Sequence, residues 1–238
     1  MTIRCVLMDI EGTIVPIVFV REVLFPYAQQ RMPAFLRERR EDPAVRQWTA
    51  LCQDTVGQER GVRPDYDELP SILHRWMEQD QKHTGLKGLQ GMIWEEGYRT
   101  GAFAPALYDD VYSSLIAWQA NGFQLALYSS GSEQAQQLLL AHTTEGNLTS
   151  LFTHFFNARV GSKMDQESYR RIAQLLALPA EAILFLSDVE AELDAAVAAG
   201  FKTTQIVRPG TQAGTRHLIA STFHDLTLSG FAQPTPCP

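Results

Sequence analysis

Ile3-Arg4-Cys5-Val6-Leu7-Met8-Asp9-Ile10-Glu11-Gly12-Thr13 is the stretch that decides the fold. Residues 3–8 are mostly β-branched or large aliphatic, and the run stops at Asp9, followed by a glycine turn. A short apolar block with no polar alternation reads as a strand buried on both faces, and its polar end reads as a functional edge. Similar blocks recur at 123–128, 151–157, 182–187 and 203–207, most of them separated by segments with helical spacing. Strands alternating with helices predict an α/β fold with a doubly wound parallel sheet.

The segment from about residue 20 to 104 breaks this alternation. Val23, Leu24 and Tyr27, then Val45, Trp48, Leu51 and Cys52, then Ile72, Leu73, Trp76 and Met77 recur at intervals of three and four, the periodicity of helices. Pro26 and Pro33 are expected to kink or split the first of them, while Asp42-Pro43 and Asp67-Glu68-Leu69-Pro70 read as helix starts. The expected organisation is therefore an α/β core of residues 1–18 and 105–229, a helical insertion at 19–104, and a flexible tail at 230–238. An insertion also accounts for the length, since 238 residues are too many for one ordinary domain of about 150.

Composition narrows the function. Twenty Lys and Arg against 27 Asp and Glu give a net charge of -7, which disfavours nucleic acid and anionic membranes as partners. The 45% apolar content suits a globular chain with a sizeable core. Cys5, Cys52 and Cys237 are odd in number and widely spaced, fitting neither a disulfide framework nor a zinc knuckle. The longest apolar run, 14–20, contains Pro16 and falls far short of the roughly 20 residues that span a bilayer. With the apolar block at residues 5–8 too short for a signal peptide, a cytoplasmic protein is expected. Nothing such as heptads demands assembly, so the expectation is a monomer.

In doubly wound sheets ligands bind beyond the carboxyl ends of the strands, so the polar residues ending each block are read together. Asp9 and Glu11 follow the first strand, and their alternate spacing sends both side chains the same way. Ser129 and Ser130 follow the second, before Gly131-Ser132 opens a helix; Asp188 follows the strand at 182–187. Converging carboxylates repel unless a cation neutralises them, and a small set of hard oxygen ligands completed by water suits Mg2+. Helix N-caps are the competing reading for Asp9 and Asp188 taken singly, and a Ser130–Glu133 capping box competes with an anion site at 129–132. Lys163 is expected in the first turn of a helix begun at Ser162 and Asp165 and running to about Ala177, where the macrodipole disfavours a cation. A phosphate oxygen or the Asp9 carboxylate would offset that placement; a solvated lysine is the plain alternative.

Asp9-Ile10-Glu11-Gly12-Thr13, Ser129-Ser130-Gly131-Ser132, Lys163 ahead of Glu167-Ser168-Tyr169-Arg170-Arg171-Ile172, and Phe185-Leu186-Ser187-Asp188 resemble the four motifs of the haloacid dehalogenase (HAD) superfamily. More narrowly, the chain is similar to the enolase-phosphatases (acireductone synthases) of methionine salvage, through Glu11 in place of the usual Asp. Phe25-Pro26-Tyr27, Ile93-Trp94-Glu95-Glu96-Gly97-Tyr98, Ala191-Glu192-Leu193-Asp194-Ala195-Ala196 and Val207-Arg208-Pro209-Gly210 extend the likeness over almost the whole chain. Ile14 and Val15 stand where the family usually has threonines, a change in packing beneath the site.

The resemblance implies a Rossmann-like HAD core with a helical cap that closes over the strand ends and excludes water. It implies an enzyme converting 2,3-diketo-5-methylthiopentyl-1-phosphate through its enol to acireductone and phosphate. Asp9 would be the nucleophile; Asp9, Glu11 and Asp188 would hold one Mg2+ per subunit; Ser129, Ser130 and Lys163 would bind the phosphoryl group. Glu11 is the candidate for moving the enolisation proton. Trp94 and Tyr98 are either contacts for the methylthio end or, more simply, cap packing, and Glu95 and Glu96 read as solvated cap surface. Competing functions on the same fold are a metal-free carbon–halogen hydrolase, against which Glu11 and Asp188 speak, a general small-molecule phosphatase, for instance one acting on phosphoglycolate, and a catalytically silent binding module.

Overall fold

The computed structural model describes residues 2–79 and 81–228, so the expectation of a flexible tail at 230–238, and Cys237 with it, lies outside the described residues. Strands β1 (Cys5–Met8), β2 (Gln124–Tyr128), β3 (His154–Phe156), β4 (Ile183–Ser187), β5 (Lys202–Ile206) and β6 (Ile219–Ala220) make one sheet in the order β3-β2-β1-β4-β5-β6. Every neighbouring pair is parallel. The doubly wound parallel sheet expected from the apolar blocks is the one observed. The block at 151–157 contributes only His154–Phe156, because Thr149–Leu151 closes a 3-10 turn first. The two-residue β6 has no counterpart among the expected strands.

Helices α1 (Ile17–Phe19), α2 (Phe25–Glu38), α3 (Pro43–Arg60), α4 (Leu69–Glu78) and α5 (Thr84–Thr100) precede β2 together with α6 (Val111–Ala120). The later helices are α7 (Glu133–Ala141), α8 (Gln166–Leu176) and α9 (Glu190–Ala198). All four residues of β1 are wholly buried. Cys5 and Leu7 pack with Ala126, Phe185, Tyr169 and Leu193, which ties one face of the sheet to α8 and α9. Alternation sends Val6 and Met8 to the opposite face, and their burial shows that it too is covered.

The chain divides into two compact units, one running through Ile17 and resuming at Ala104, the other Val18–Phe103. Among the described residues the regular elements of the second unit are helices, with their own core of residues such as Met32, Phe35, Cys52, Leu73, Trp76 and Leu89. Val45, Thr49, Cys52 and Val56 form the buried face of α3 at helical spacing. Gly85 and Gly88 of α5 allow its close approach to α3, since a side chain at either would collide with Cys52 or the Trp48 ring. Asp42 caps α3, accepting from Ala44 N–H at 2.9 Å, with Pro43 at the first helical position. Pro33 does not split its helix: α2 continues through it, held by the burial of Met32, Phe35 and Leu36, while Pro26 falls in the first turn.

Trp94 donates from its indole N–H to Leu24 O at 2.8 Å and meets Phe25 edge-on, and buried Tyr98 packs against Phe103. Both therefore serve the packing of the helical unit. Glu96 corrects the expectation of a solvated surface acid. It accepts from Arg31 at 2.8 Å and from Arg39 at 3.4 Å, locking α5 to the segment around α2. Among the described residues no helix is long and apolar enough to cross a membrane.

Candidate active site

Register places the site. Met8 pairs with Leu127 on one side and Leu186 on the other, so Asp9 stands level with Tyr128 and Ser187. Ser129 and Asp188 lie one residue further along the flanking strands, at the same carboxyl edge. Asp9 N–H donates to Leu186 O at 2.9 Å, extending the ladder by one residue and fixing the backbone that carries the carboxylate. Beyond it the chain folds onto a single carbonyl: Ile10 O accepts from Thr13, Ile14 and Val15 at 3.3, 2.9 and 3.0 Å. Gly12 sits in this loop at φ +78°, and a Cβ there would overlap the Asp188 carboxylate. Glycine thus serves both the turn and the close approach of β4's end. Ile14 and Val15 are wholly buried, which fits their reading as packing beneath the site.

Lys163 Nζ forms a short ion pair with Asp9 and a second, at 3.2 Å, with Glu192. The expected reason for an anionic partner needs correction. Helix α8 starts at Gln166 with Asp165 as its N-cap, accepting from Glu167 N–H at 3.0 Å, so Lys163 lies in the approaching loop and not in the first turn. Its position comes from two buried tyrosines: Tyr128 OH donates to Gly161 O at 3.0 Å and Tyr169 OH to Lys163 O at 2.8 Å. Ser162 Oγ accepts from Met164 N–H at 3.2 Å, tightening the same turn.

The serine loop also differs in detail. The cap of α7 is Ser132, accepting from Ala135 N–H at 3.1 Å, in place of a Ser130–Glu133 box. Ser130 is exposed at the strand end. Ser129 is buried and engaged: its hydroxyl accepts from Gly131 N–H at 3.1 Å and donates to Glu11 Oε2 at 3.4 Å.

Glu192 is the residue that sequence reasoning missed. It is buried on the first turn of α9, where its carboxylate accepts from Ser187 Oγ at 2.8 Å as well as from Lys163. Its available signal was a glutamate one helical turn after Asp188, on the side of an alanine-rich helix that faces the strand ends. Lys163 thus faces Asp9 and Glu192, with Glu11 and Asp188 close enough to feel its charge.

Four carboxylates around one ammonium leave excess negative charge in a buried place. Burial first, and then the charge of Asp9, pushes Asp188 up to about 6 and Glu192 up to about 7, and raises Glu11 by the same two causes. For Lys163 burial pulls the ammonium down, but the carboxylates of Asp9 and Glu192 outweigh it and hold it above its ordinary value.

Among the described residues no three His, Cys, Asp or Glu side chains form a ready-made metal cage. Asp9 is turned to Lys163 and the Glu11 side chain to Ser129. The local bridge at Glu11 runs through Val15 N–H to Ile10 O and Gly12 N–H to Val15 O at 2.8 Å, and neither bond uses the Glu11 carbonyl. The carboxylates of Asp9 and Asp188 with a side-chain or main-chain oxygen of Glu11, in an over-acidic site, fit a hard cation such as Mg2+, which takes few protein ligands and keeps its waters.

The raised carboxyl groups make a stability prediction. A carboxyl that titrates higher in the folded chain binds more protons folded than unfolded between its two values, so stability falls as pH rises through that window. For Asp188 and Glu192 the window runs from ordinary carboxylate values near 4 to about 6 and about 7. In EDTA the thermal midpoint is expected to be higher at pH 5 than at pH 7.5, by an amount on the order of 5–10 °C for a few kcal/mol. Millimolar Mg2+ at pH 7.5 should recover most of the difference. A midpoint in EDTA that climbs between pH 5 and 7.5 would contradict this account.

A parallel sheet of this order with an acid-and-lysine cluster at its carboxyl edge defines the class of haloacid dehalogenase-like hydrolases, and that family matches residues 3–200. Enolase-phosphatase E1 of Gluconacetobacter diazotrophicus is 50% identical over 98% of this chain and 96% of its own length. That of Picosynechococcus is 45% identical over 94% of this chain and 98% of its own. The chain belongs to the enolase-phosphatase E1 family. In three dimensions it is similar to the crystal structure of the UTR4 protein of Saccharomyces cerevisiae, with a TM-score of 0.78 and 29% identity over 94% of this chain and 100% of that one. An L-2-haloacid dehalogenase, RSc1362, superposes with a TM-score of 0.56 at 18% identity over 94% of this chain and 97% of that one, a likeness of fold alone.

Proposed function

We propose that this chain converts 2,3-diketo-5-methylthiopentyl-1-phosphate to its enol and then to acireductone and inorganic phosphate, with Asp9 as nucleophile. Its membership in the enolase-phosphatase family supports the overall reaction. The single observation behind the assignment of Asp9 is its placement at the end of the central strand, buried and held by Lys163.

Asp9, Asp188 and Glu11, the last by its carboxylate or its main-chain carbonyl, would hold Mg2+. When bound, the cation screens the repulsion between the nucleophile and a dianionic phosphate and stabilises charge on the transferring oxygens. The rest falls to the chain's own residues. Lys163 orients the Asp9 carboxylate and meets a phosphoryl oxygen as a point charge, while Ser129 and Ser130 supply hydroxyls at the end of β2.

In the first reaction Glu11 takes a proton from the carbon that bears the phosphate ester, and the neighbouring carbonyl oxygen gains one. The net result is the enol, with no change in oxidation level. Burial and the charge of Asp9 raise Glu11 above its ordinary carboxylate value, which makes it a stronger base than a solvent-exposed carboxylate. In the second reaction an Asp9 oxygen forms a bond to phosphorus as the bond from phosphorus to the enol oxygen breaks. Water then attacks the aspartyl-phosphate, and the carboxylate is returned as inorganic phosphate leaves.

The proton role of Glu11 is tested by Glu11→Asp. Shortening the side chain by one methylene withdraws the base from carbon, so enol formation should slow by about 10–100-fold. Absorbance of the enol and the acireductone, followed with phosphate release in one stopped-flow trace, separates the two reactions. A variant that enolises at the wild-type rate and loses only phosphate release would remove Glu11 from the first reaction.

A further inference from the structure

Outside the charged cluster, among the described residues of the unit that carries Asp9, Arg208 is a buried cation whose every donor is used. Arg208 stands two residues past β5 and is 4% exposed. Its Nη1 donates to Asp110 Oδ1 at 2.6 Å and to Ser221 O at 3.0 Å. Nη2 donates to Asp110 Oδ2 at 2.9 Å and to Thr13 O at 3.2 Å, and Nε donates to the same Thr13 oxygen at 3.3 Å. The guanidinium lies over the Tyr108 ring at 4.4 Å. Asp110 is buried as well and accepts a further bond from Phe223 N–H at 2.6 Å.

Burying such a pair is a poor way to gain stability, because desolvation of the two ions offsets their attraction, and apolar residues of equal volume often serve as well or better. What the forked guanidinium does supply is direction. Two of its three nitrogens converge on the carbonyl of Thr13, the residue after Gly12, inside the loop that folds onto Ile10 O. Gly12 is the point at which this loop leaves room for the Asp188 carboxylate. Fixing the Thr13 carbonyl therefore fixes the neighbouring peptide and, through it, the spacing between the ends of β1 and β4.

We propose that Arg208, held by Asp110, is a positioning residue for phosphoryl transfer, setting the Gly12–Thr13 backbone so that Asp9 and Asp188 stand correctly toward each other. The inference rests on the reading of Asp9 as nucleophile. Arg208 reaches the chemistry only through the Thr13 carbonyl, while the groups proposed to grip phosphate, Ser129, Ser130 and Lys163, lie just past the end of β2 and ahead of α8. Its loss should therefore appear in kcat and in the Mg2+ requirement more than in phosphate affinity.

Two variants test this in the full-length protein with Mg2+ and p-nitrophenyl phosphate. Arg208→Lys keeps the charge and loses the fork. Arg208→Met combined with Asp110→Asn removes both charges and keeps an acceptor for Phe223 N–H. The expected result in each is a fall in kcat of tenfold or more, with KM and the inhibition constant of inorganic phosphate within twofold of wild type and half-saturation by Mg2+ raised. Ile172→Val, a core change in α8, is the control for stability, read by thermal midpoint and near-ultraviolet dichroism. Wild-type kcat in folded Arg208→Lys would overturn the proposal, as would a loss in either variant that only follows its folded fraction as in the control. Turnover by Asp9→Asn would remove the reading of the nucleophile and this inference with it, whereas an inactive Asp9→Asn beside an unimpaired Arg208→Lys removes the inference alone.

Discussion

Asp9→Asn is expected to lower phosphate release by about 10⁴-fold or more, the scale on which loss of a covalent nucleophile registers. The substitution is isosteric, and the backbone that carries it is fixed by its bond to Leu186 O. Lys163 retains Glu192 at 3.2 Å, so no buried ammonium is left bare. What disappears is the anionic oxygen that must bond to phosphorus. Because enolisation is assigned to Glu11, the variant should still form the enol from the diketone phosphate and then stop, so enol absorbance rises with almost no free phosphate. Single-turnover mixing with parallel detection of enol and phosphate distinguishes this from a general collapse of the site, in which neither signal appears. Phosphate release within tenfold of wild type would remove Asp9 as the nucleophile.

The parts of this site that the sequence discloses are those fixed by local pattern. Asp9, Ser129 and Asp188 each end or closely follow an apolar block, and a parallel sheet necessarily brings such ends to one edge. Lys163 is visible as a cation in need of an anion, although its position depends on hydroxyls of Tyr128 and Tyr169 and not on a helix dipole. Glu192 is hidden because its partners are Ser187, five positions away on a strand, and Lys163, on another segment altogether. Arg208 is hidden for the same reason: Thr13 is 195 positions away and Asp110 is 98. Glu96 pairs with Arg31 and Arg39 across helices, so a periodicity that registers only its own helix reads it as surface. Charge pairs between distant segments carry no period, and these are the features that the fold alone supplies.

Lys163→Met should reveal how much of the folded state depends on one charge. The methionine matches the unbranched apolar stem of lysine and lacks only its terminal ammonium, and the loop that carries it stays tied by Tyr128 OH to Gly161 O and by Tyr169 OH to residue 163's own carbonyl. The defect is therefore one of charge. Asp9, Glu11, Glu192 and Asp188 lose their shared cation, and removing one partner from a buried ionic group typically costs about 3–5 kcal/mol. At pH 7.5 in EDTA this corresponds to a drop in thermal midpoint of roughly 6–20 °C for a chain of this size. Phosphatase turnover should fall by about 10²–10³-fold even with saturating Mg2+, since an oriented charge at the phosphoryl oxygens is lost. The pH dependence separates this cause from a packing fault. Without Lys163 the carboxyl groups of Glu11, Asp188 and Glu192 rise further, protons neutralise them at lower cost, and the deficit against wild type should shrink from pH 7.5 to pH 5. A methionine that packed badly would carry the same deficit at both values, and a midpoint within 2 °C of wild type at pH 7.5 would mean that the buried acids do not depend on Lys163 for their charge.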